Sequence, residues 1–153
     1  MVKTAIIISD THGSLSSKDN FWEAMDNADY IIHLGDGKSE VTTLKDIYKD
    51  KVISIGGNCD YSDEDFKIIN INNVRILIAH GHKLGVKSNL LNITYACLEN
   101  NCEVGLFGHT HQPIEIEDSV ILINPGSLTY TNTYCYLAVM DNKKVIHKIV
   151  NLY

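Results

Sequence analysis

Of the 13 lysine and arginine residues in this chain, only one, Arg75, is arginine. Proteins that clamp phosphate commonly use the planar guanidinium fork. Arg75 falls inside a strand-like run, so a metal ion or backbone amides would have to supply positive charge to any phosphate. There is no block of lysine and arginine, and the net charge is −6. Both facts argue against a nucleic-acid backbone as the main partner. No apolar stretch approaches the roughly 18 residues needed to span a bilayer. The opening MVKTAIIISD has too short an apolar run for a signal peptide and no small-residue cleavage site. The expectation is a cytoplasmic protein without a membrane partner, in which the sequon Asn92-Ile93-Thr94 carries no meaning. None of the four cysteines forms a CxxC pair, which argues against a zinc ribbon or a thioredoxin-type redox site. Cys97, Cys102 and Cys135 read as reduced, small core hydrophobes.

What is present suits one domain over residues 1–153, since 44% of the residues are hydrophobic. Thr4 to Ile8 is a continuous β-branched run, like a strand buried on both faces. Phe21, Trp22, Met25 and Ala28 mark one face of a helix. Tyr30 to Leu34 is a second strand. Val41, Leu44, Ile47 and Tyr48 mark a second helix, with Ser39 as its N-cap. Val52 to Ile55 is a third strand. This β-α-β-α-β order predicts a parallel sheet with crossover helices. Phe66–Ile71 and Val74–Ala79 then read as a hairpin turning at Asn72-Asn73. A third helix is predicted over Val86–Glu99, and strands at Val104–Phe107, Ile114–Glu117, Val120–Ile123, Tyr134–Met140 and Val145–Val150. The pattern suggests two sheets packed face to face with helices outside.

Each core strand ends in polar residues. After the first come Asp10 and His12, after the second Asp36, and after the third Asn58 and Asp60. The strand ending at Ala79 delivers His80 and His82; the one ending at Phe107 delivers His109 and His111. In open α/β sheets ligands bind beyond the carboxyl ends of the strands. Gly13, Gly35, Gly57, Gly81 and Gly108 accompany these positions and permit close approach of the backbone. Mixed imidazole and carboxylate donors suit Mn, Fe, Zn or Ni better than Ca or Mg. The set is too large for one ion, so two are expected, with an aspartate able to bridge them. Two ions roughly 3.5–4 Å apart can hold a hydroxide and both non-bridging oxygens of a phosphate ester. In extended structure His109 and His111, at i and i+2, would point to the same side. His33, inside a strand, reads as a structural histidine bonded to backbone, and His147 as an exposed strand residue.

The stretches SDTHG, HLGD, GNCD, HGH, GHTHQP and NPGS, in this order between Ser9 and Ser127, resemble the calcineurin-like metallophosphoesterases. The similarity is greatest to their small YfcE-type phosphodiesterase branch. The resemblance implies a four-layer α-β-β-α sandwich with a di-metal centre. Asp10, His12, Asp36 and His111 would hold one ion; Asp36, Asn58, His80 and His109 would hold the other. Asp36 would bridge, and Asp36 and Asn58 would count as catalytic. A metal-bridging hydroxide would attack phosphorus in line. The expected ions are Mn²⁺ or Ni²⁺, with Fe, Zn or Mg as alternatives. The expected substrate is a small phosphodiester, and a homodimer is a further expectation.

One position departs from the wider superfamily. Its Gly-Asn-His-Asp/Glu motif places a histidine after the asparagine, where it helps protonate the leaving group; here the residue is Cys59. A neutral thiol is a poorer acid, so good leaving groups such as aryl alcohols are expected to be favoured over alkyl ones. Asp60 is expected to orient the loop, and His82 to lie behind the ligands or on the leaving-group side. Cys59 does not read as a thiol-phosphatase nucleophile, because position 65 is Asp rather than the required arginine. Gly37-Lys38-Ser39 does not complete a P-loop, because position 32 is Ile. Two rivals remain open: a phosphomonoesterase, and a protein-interaction scaffold of the same fold, like the retromer subunit, in which the metal set is structural.

Overall fold

The computed structural model describes all residues, 1–153. Ten strands and three helices follow one another along the chain. They are β1 (Lys3–Ile8), α1 (Asp19–Asn27), β2 (Tyr30–His33), α2 (Lys38–Tyr48), β3 (Val52–Ser54), β4 (Lys67–Ile71), β5 (Val74–Ile78), α3 (Leu91–Glu99), β6 (Val104–Leu106), β7 (Ile114–Glu117), β8 (Ile121–Asn124), β9 (Thr133–Val139) and β10 (Val145–Asn151). Two mixed five-stranded sheets result, with orders β10-β9-β1-β2-β3 and β4-β5-β6-β8-β7. β1, β2 and β3 are parallel, as are β5, β6 and β8. The outer strands β9, β10, β4 and β7 run antiparallel to their neighbours.

The period of two along each strand builds the layers. Ala5 and Ile7 of β1 face the second sheet, where they join Ile76, Ile78, Val104, Leu106 and Ile123 in the central core. Ile6 and Ile8 face outward onto Phe21 and Met25 of α1 and Leu44 of α2. On the far side, Leu77 and Ala79 meet Ile93, Ala96 and Cys97 of α3. The architecture is the expected four-layer sandwich. Asn72 and Asn73 turn the β4–β5 hairpin, both with positive φ (51° and 69°), the left-handed conformation that asparagine tolerates. Cys97, Cys102 and Cys135 are buried and unpaired, and burial pushes the Cys97 and Cys135 thiols up to about 12. No helix is long and apolar enough to cross a membrane.

Three local expectations need correction. The third helix begins at Leu91, not Val86, because residues 82–88 form successive turns, with Gly85 at φ +63°. Ser39 is not the N-cap of α2. The helix starts two residues earlier, at Lys38 after Gly37, and the Ser39 hydroxyl bonds the Glu40 carboxylate instead. His147 is not simply exposed. Its ring lies between Glu115 and Glu117, with Nδ1 2.9 Å from one carboxylate and Nε2 2.7 Å from the other. The cause is tertiary: β10 edges one sheet, β7 edges the other, and the two edges meet.

Candidate metal centre

Six of the proposed ligands converge at the carboxyl ends of β1, β2, β5 and β6. Asp10, His12 and His111 form one group whose donor atoms lie within 4.8 Å of one another; Asp36, His80 and His109 form another. His12 and Asp36 also come within that distance of Cys59. Nε2 of His12 is 3.3 Å from Nε2 of His111, and Nε2 of His80 is 3.1 Å from Nδ1 of His109. His109 and His111 therefore serve different groups. The same-side argument from extended structure does not hold, because both residues adopt left-handed backbone, at φ 70° and 63°.

The two aspartates are used alike. Oδ2 of Asp10 accepts from the Ser9 hydroxyl and from the His109 N–H at 3.0 Å. Its other oxygen, Oδ1, is buried and has no hydrogen bond. That oxygen faces Nε2 of His111 at 3.1 Å, of His12 at 3.6 Å and of His80 at 3.9 Å. Oδ1 of Asp36 accepts the Cys59 N–H at 2.8 Å, while Oδ2 lies 3.2 Å from His80 and 3.8 Å from His12. Each carboxylate thus anchors one oxygen on the backbone and aims the other at imidazoles. A bare buried carboxylate oxygen is costly unless something positive meets it. The donor set fits divalent ions of the first transition row.

Electrostatics agree. Burial alone would raise the Asp36 carboxyl, but its hydrogen bond and charge interaction with His80, and the Cys59 N–H, hold it well below the usual range. Burial pulls His80 down, yet Asp36 and Asp10 outweigh it and raise the imidazole. Nδ1 of His80 is 2.8 Å from the Leu34 carbonyl, which fixes the proton there and leaves Nε2 for the cluster. His109 is lowered to about 4 by burial and by its neighbour His80, so it is a neutral donor.

Backbone conformation completes the convergence. Asp10, His12, Asp36, His109 and His111 all have positive φ. Non-glycine residues take that conformation rarely, at a cost of about 1–2 kcal/mol each, and such residues gather at functional sites. Gly108 shows how tight the approach is, since a Cβ there would lie 2.7 Å from Oδ2 of Asp10.

The remaining residues of interest lie around this cluster. Asn58 is exposed, and its side-chain amide makes one hydrogen bond, to Sγ of Cys59 at 3.7 Å. Asp60 accepts four backbone N–H groups, from Gly57 (2.9 Å), Asp36 (2.8 Å), Gly37 and Lys38 (both 3.2 Å). It ties the GNCD loop to the turn after β2. His82 has Nε2 3.3 Å from the Ser62 carbonyl and a buried Nδ1 with no partner. Cys59 is exposed. His33 is fully buried, with Nδ1 accepting the Gly35 N–H at 3.0 Å, and burial lowers it to about 4.

Several contributors were not singled out from the sequence. Ser127 donates to the Asp10 carbonyl at 2.7 Å, and Asn124 donates to the Gly108 carbonyl at 3.1 Å. Both belong to the NPGS stretch, which was a usable signal. Tyr130 flanks the mouth, its ring centre 5.2 Å from that of His111 and 5.5 Å from that of His12, and nothing in the pattern marks it.

Residues 4–144 match the calcineurin-like phosphoesterase superfamily domain. A probable metallophosphoesterase of Bacillus subtilis, YsnB, is 34% identical over 92% of this chain and 87% of its own length. Among solved structures, vacuolar protein sorting 29 of Cryptosporidium parvum superposes with a TM-score of 0.79 at 18% identity, over 97% of each chain. YfcE, a phosphoesterase from E. coli, superposes at 0.65 with 24% identity, over 98% of this chain and all of the other. With its ordered motifs and these matches, the chain belongs to the calcineurin-like phosphoesterase superfamily.

Proposed function

We propose that the chain is a metal-dependent phosphodiesterase. Asp10, His12, Asp36 and His111 would hold one divalent ion; Asp36, Asn58, His80 and His109 would hold a second. The observation that carries the reading is the bare, buried Oδ1 of Asp10, facing three imidazole nitrogens within 3.9 Å. When bound, the ions would supply Lewis acidity, activating water and neutralising charge on the phosphoryl oxygens.

The chain's own groups position and select. Backbone bonds to one oxygen of Asp10 and of Asp36 keep the other oxygen aimed into the cluster. The Leu34 carbonyl holds the His80 proton on Nδ1. Tyr130 offers an exposed aromatic surface beside the cluster. A diester is a monoanion and a monoester mostly a dianion. A chain of net charge −6 with one arginine suits the less charged substrate. Cys59 stands on the leaving-group side, where a neutral thiol favours good leaving groups. His82 directs its Nε2 proton at the Ser62 carbonyl and leaves a buried Nδ1 without a partner beside His80 and His109.

A second reading, a protein-interaction scaffold, is favoured by one observation. α3 exposes Leu91, Tyr95 and Leu98, a helical stripe on the outer face of the second sheet.

The test is hydrolysis of bis-p-nitrophenyl phosphate and of p-nitrophenyl phosphate by metal-stripped protein. Mn²⁺, Ni²⁺, Mg²⁺ or Zn²⁺ is added back, with Asp36→Ala as control. Diester turnover that needs metal and vanishes in the variant supports the reading. No turnover with any ion, in protein that binds two, would transfer the case to the scaffold.

A further inference from the structure

Behind the cluster lies a second polar network that hydrogen-bonds to no proposed ligand side chain. Glu40, in the first turn of α2, is buried, at 5% exposure. Its Oε1 accepts the Gly13 N–H at 2.8 Å and the Thr11 hydroxyl proton; its Oε2 accepts the Ser39 hydroxyl proton. Thr11 is itself fully buried, and its Oγ1 lies 3.0 Å from Nε2 of His33. Because Nδ1 of His33 accepts the Gly35 N–H, the ring proton sits on Nε2 and is donated to Thr11. The bonds therefore run in one direction: Gly35 N–H to His33, His33 to Thr11, Thr11 to Glu40.

The placement is unusual. A glutamate in the first turn of a helix commonly folds back onto its own N-cap backbone. Glu40 instead reaches across to the loop after β1, gripping the residues on both sides of His12. That loop carries Asp10 and His12 at φ 53° and 44°. Strained backbone persists only where its surroundings over-determine it. Gly37, one residue after the proposed bridging Asp36, completes the enclosure. A Cβ there would overlap Oγ1 of Thr11 and lie 2.5 Å from Nε2 of His33.

We propose that Glu40 is a positioning residue for the candidate metal centre, fixing through Thr11 and Gly13 the loop that presents Asp10 and His12 beside Asp36. The inference rests on the di-metal reading above, and its test does not depend on hydrolysis. Mn²⁺ binding to the full chain is measured by calorimetry for the wild type and for Glu40→Ala, Thr11→Val and Thr11→Ser. Thermal melting of each metal-free protein is measured alongside. The wild type should bind two ions. Glu40→Ala and Thr11→Val should weaken one of the two sites by about tenfold or more, as losses behind metal ligands do, and leave the other unchanged. Thr11→Ser, which keeps the hydroxyl, should retain both. Thr11→Val, nearly isosteric with threonine, keeps the test open should Glu40→Ala not fold. Wild-type affinity at both sites in Thr11→Val, or equal weakening of both, overturns the positioning role and leaves the di-metal reading standing. A wild type that does not bind two ions overturns both.

Discussion

The backbone N–H of Cys59 donates to Oδ1 of Asp36 at 2.8 Å, so the residue that replaces the superfamily's histidine is anchored to the carboxylate central to the cluster. Its side chain is thereby held at the mouth, with Sγ within 4.8 Å of ligand atoms of His12 and Asp36. A thiol there cannot match an imidazolium as an acid. Cys59→His should raise the rate on alkyl diesters relative to aryl ones. Relative rates for matched aryl and alkyl esters check this, and an unchanged ratio would sink the leaving-group argument.

Tyr130 presents an exposed ring next to His12 and His111. An aryl or base-like substituent on the substrate can pack against it. Tyr130→Ala should raise KM for bis-p-nitrophenyl phosphate about 2- to 10-fold with little change in kcat, the size expected for one aromatic contact. A fall in kcat at constant KM would assign the ring a different role.

Asp60 satisfies four backbone N–H groups that no other side chain reaches. Removing it leaves several partly buried donors without partners. Asp60→Ala should lose about 2 kcal/mol or more of stability. Urea unfolding of the metal-free proteins measures this directly, and a loss within experimental error would mean that water replaces the carboxylate at no cost.

His147 is raised above its ordinary value: burial opposes the shift, and bonding to Glu115 and Glu117 overrides it. A histidine raised on folding stabilises fully below its unfolded value of about 6.5. That contribution disappears as pH climbs through the raised folded value. The stability gap between wild type and His147→Gln should be wider at pH 5.5 than at pH 9. A gap independent of pH would mean the imidazole is neutral between the two glutamates.

The sequence displays the parts of this molecule whose cause is local. Continuous apolar runs such as Ala5 to Ile8 mark strands covered on both sides, and the polar residues just beyond them mark the site. The Asn-Asn pair marks the hairpin. Three kinds of information are absent from such patterns. The left-handed backbone at Asp10, His12, Asp36, His109 and His111 is imposed by the packed loops; Asp and His tolerate it better than most residues, but that tolerance does not mark which of them adopt it. Glu40 and Thr11 look like ordinary helix-start and loop residues until the two loops are brought together. His147 meets its glutamates only because two sheet edges, about thirty residues apart in sequence, lie against each other. The apolar spacing from Val86 onward mimics a helix that begins only at Leu91, because Val86, in a turn, and Leu90, at the N-cap, pack against the same core as α3.

Asp10, His12 and Asp36 are presented by the first sheet, and His80, His109 and His111 by the second. No ladder of backbone hydrogen bonds joins those sheets; oily side chains hold them together. A cation seated among the six would act as a clasp across that seam. Each tenfold excess of free ion over its dissociation constant would tighten the sandwich by about 1.4 kcal/mol. A chelator would therefore do more than silence chemistry: it would hasten the parting of the two halves.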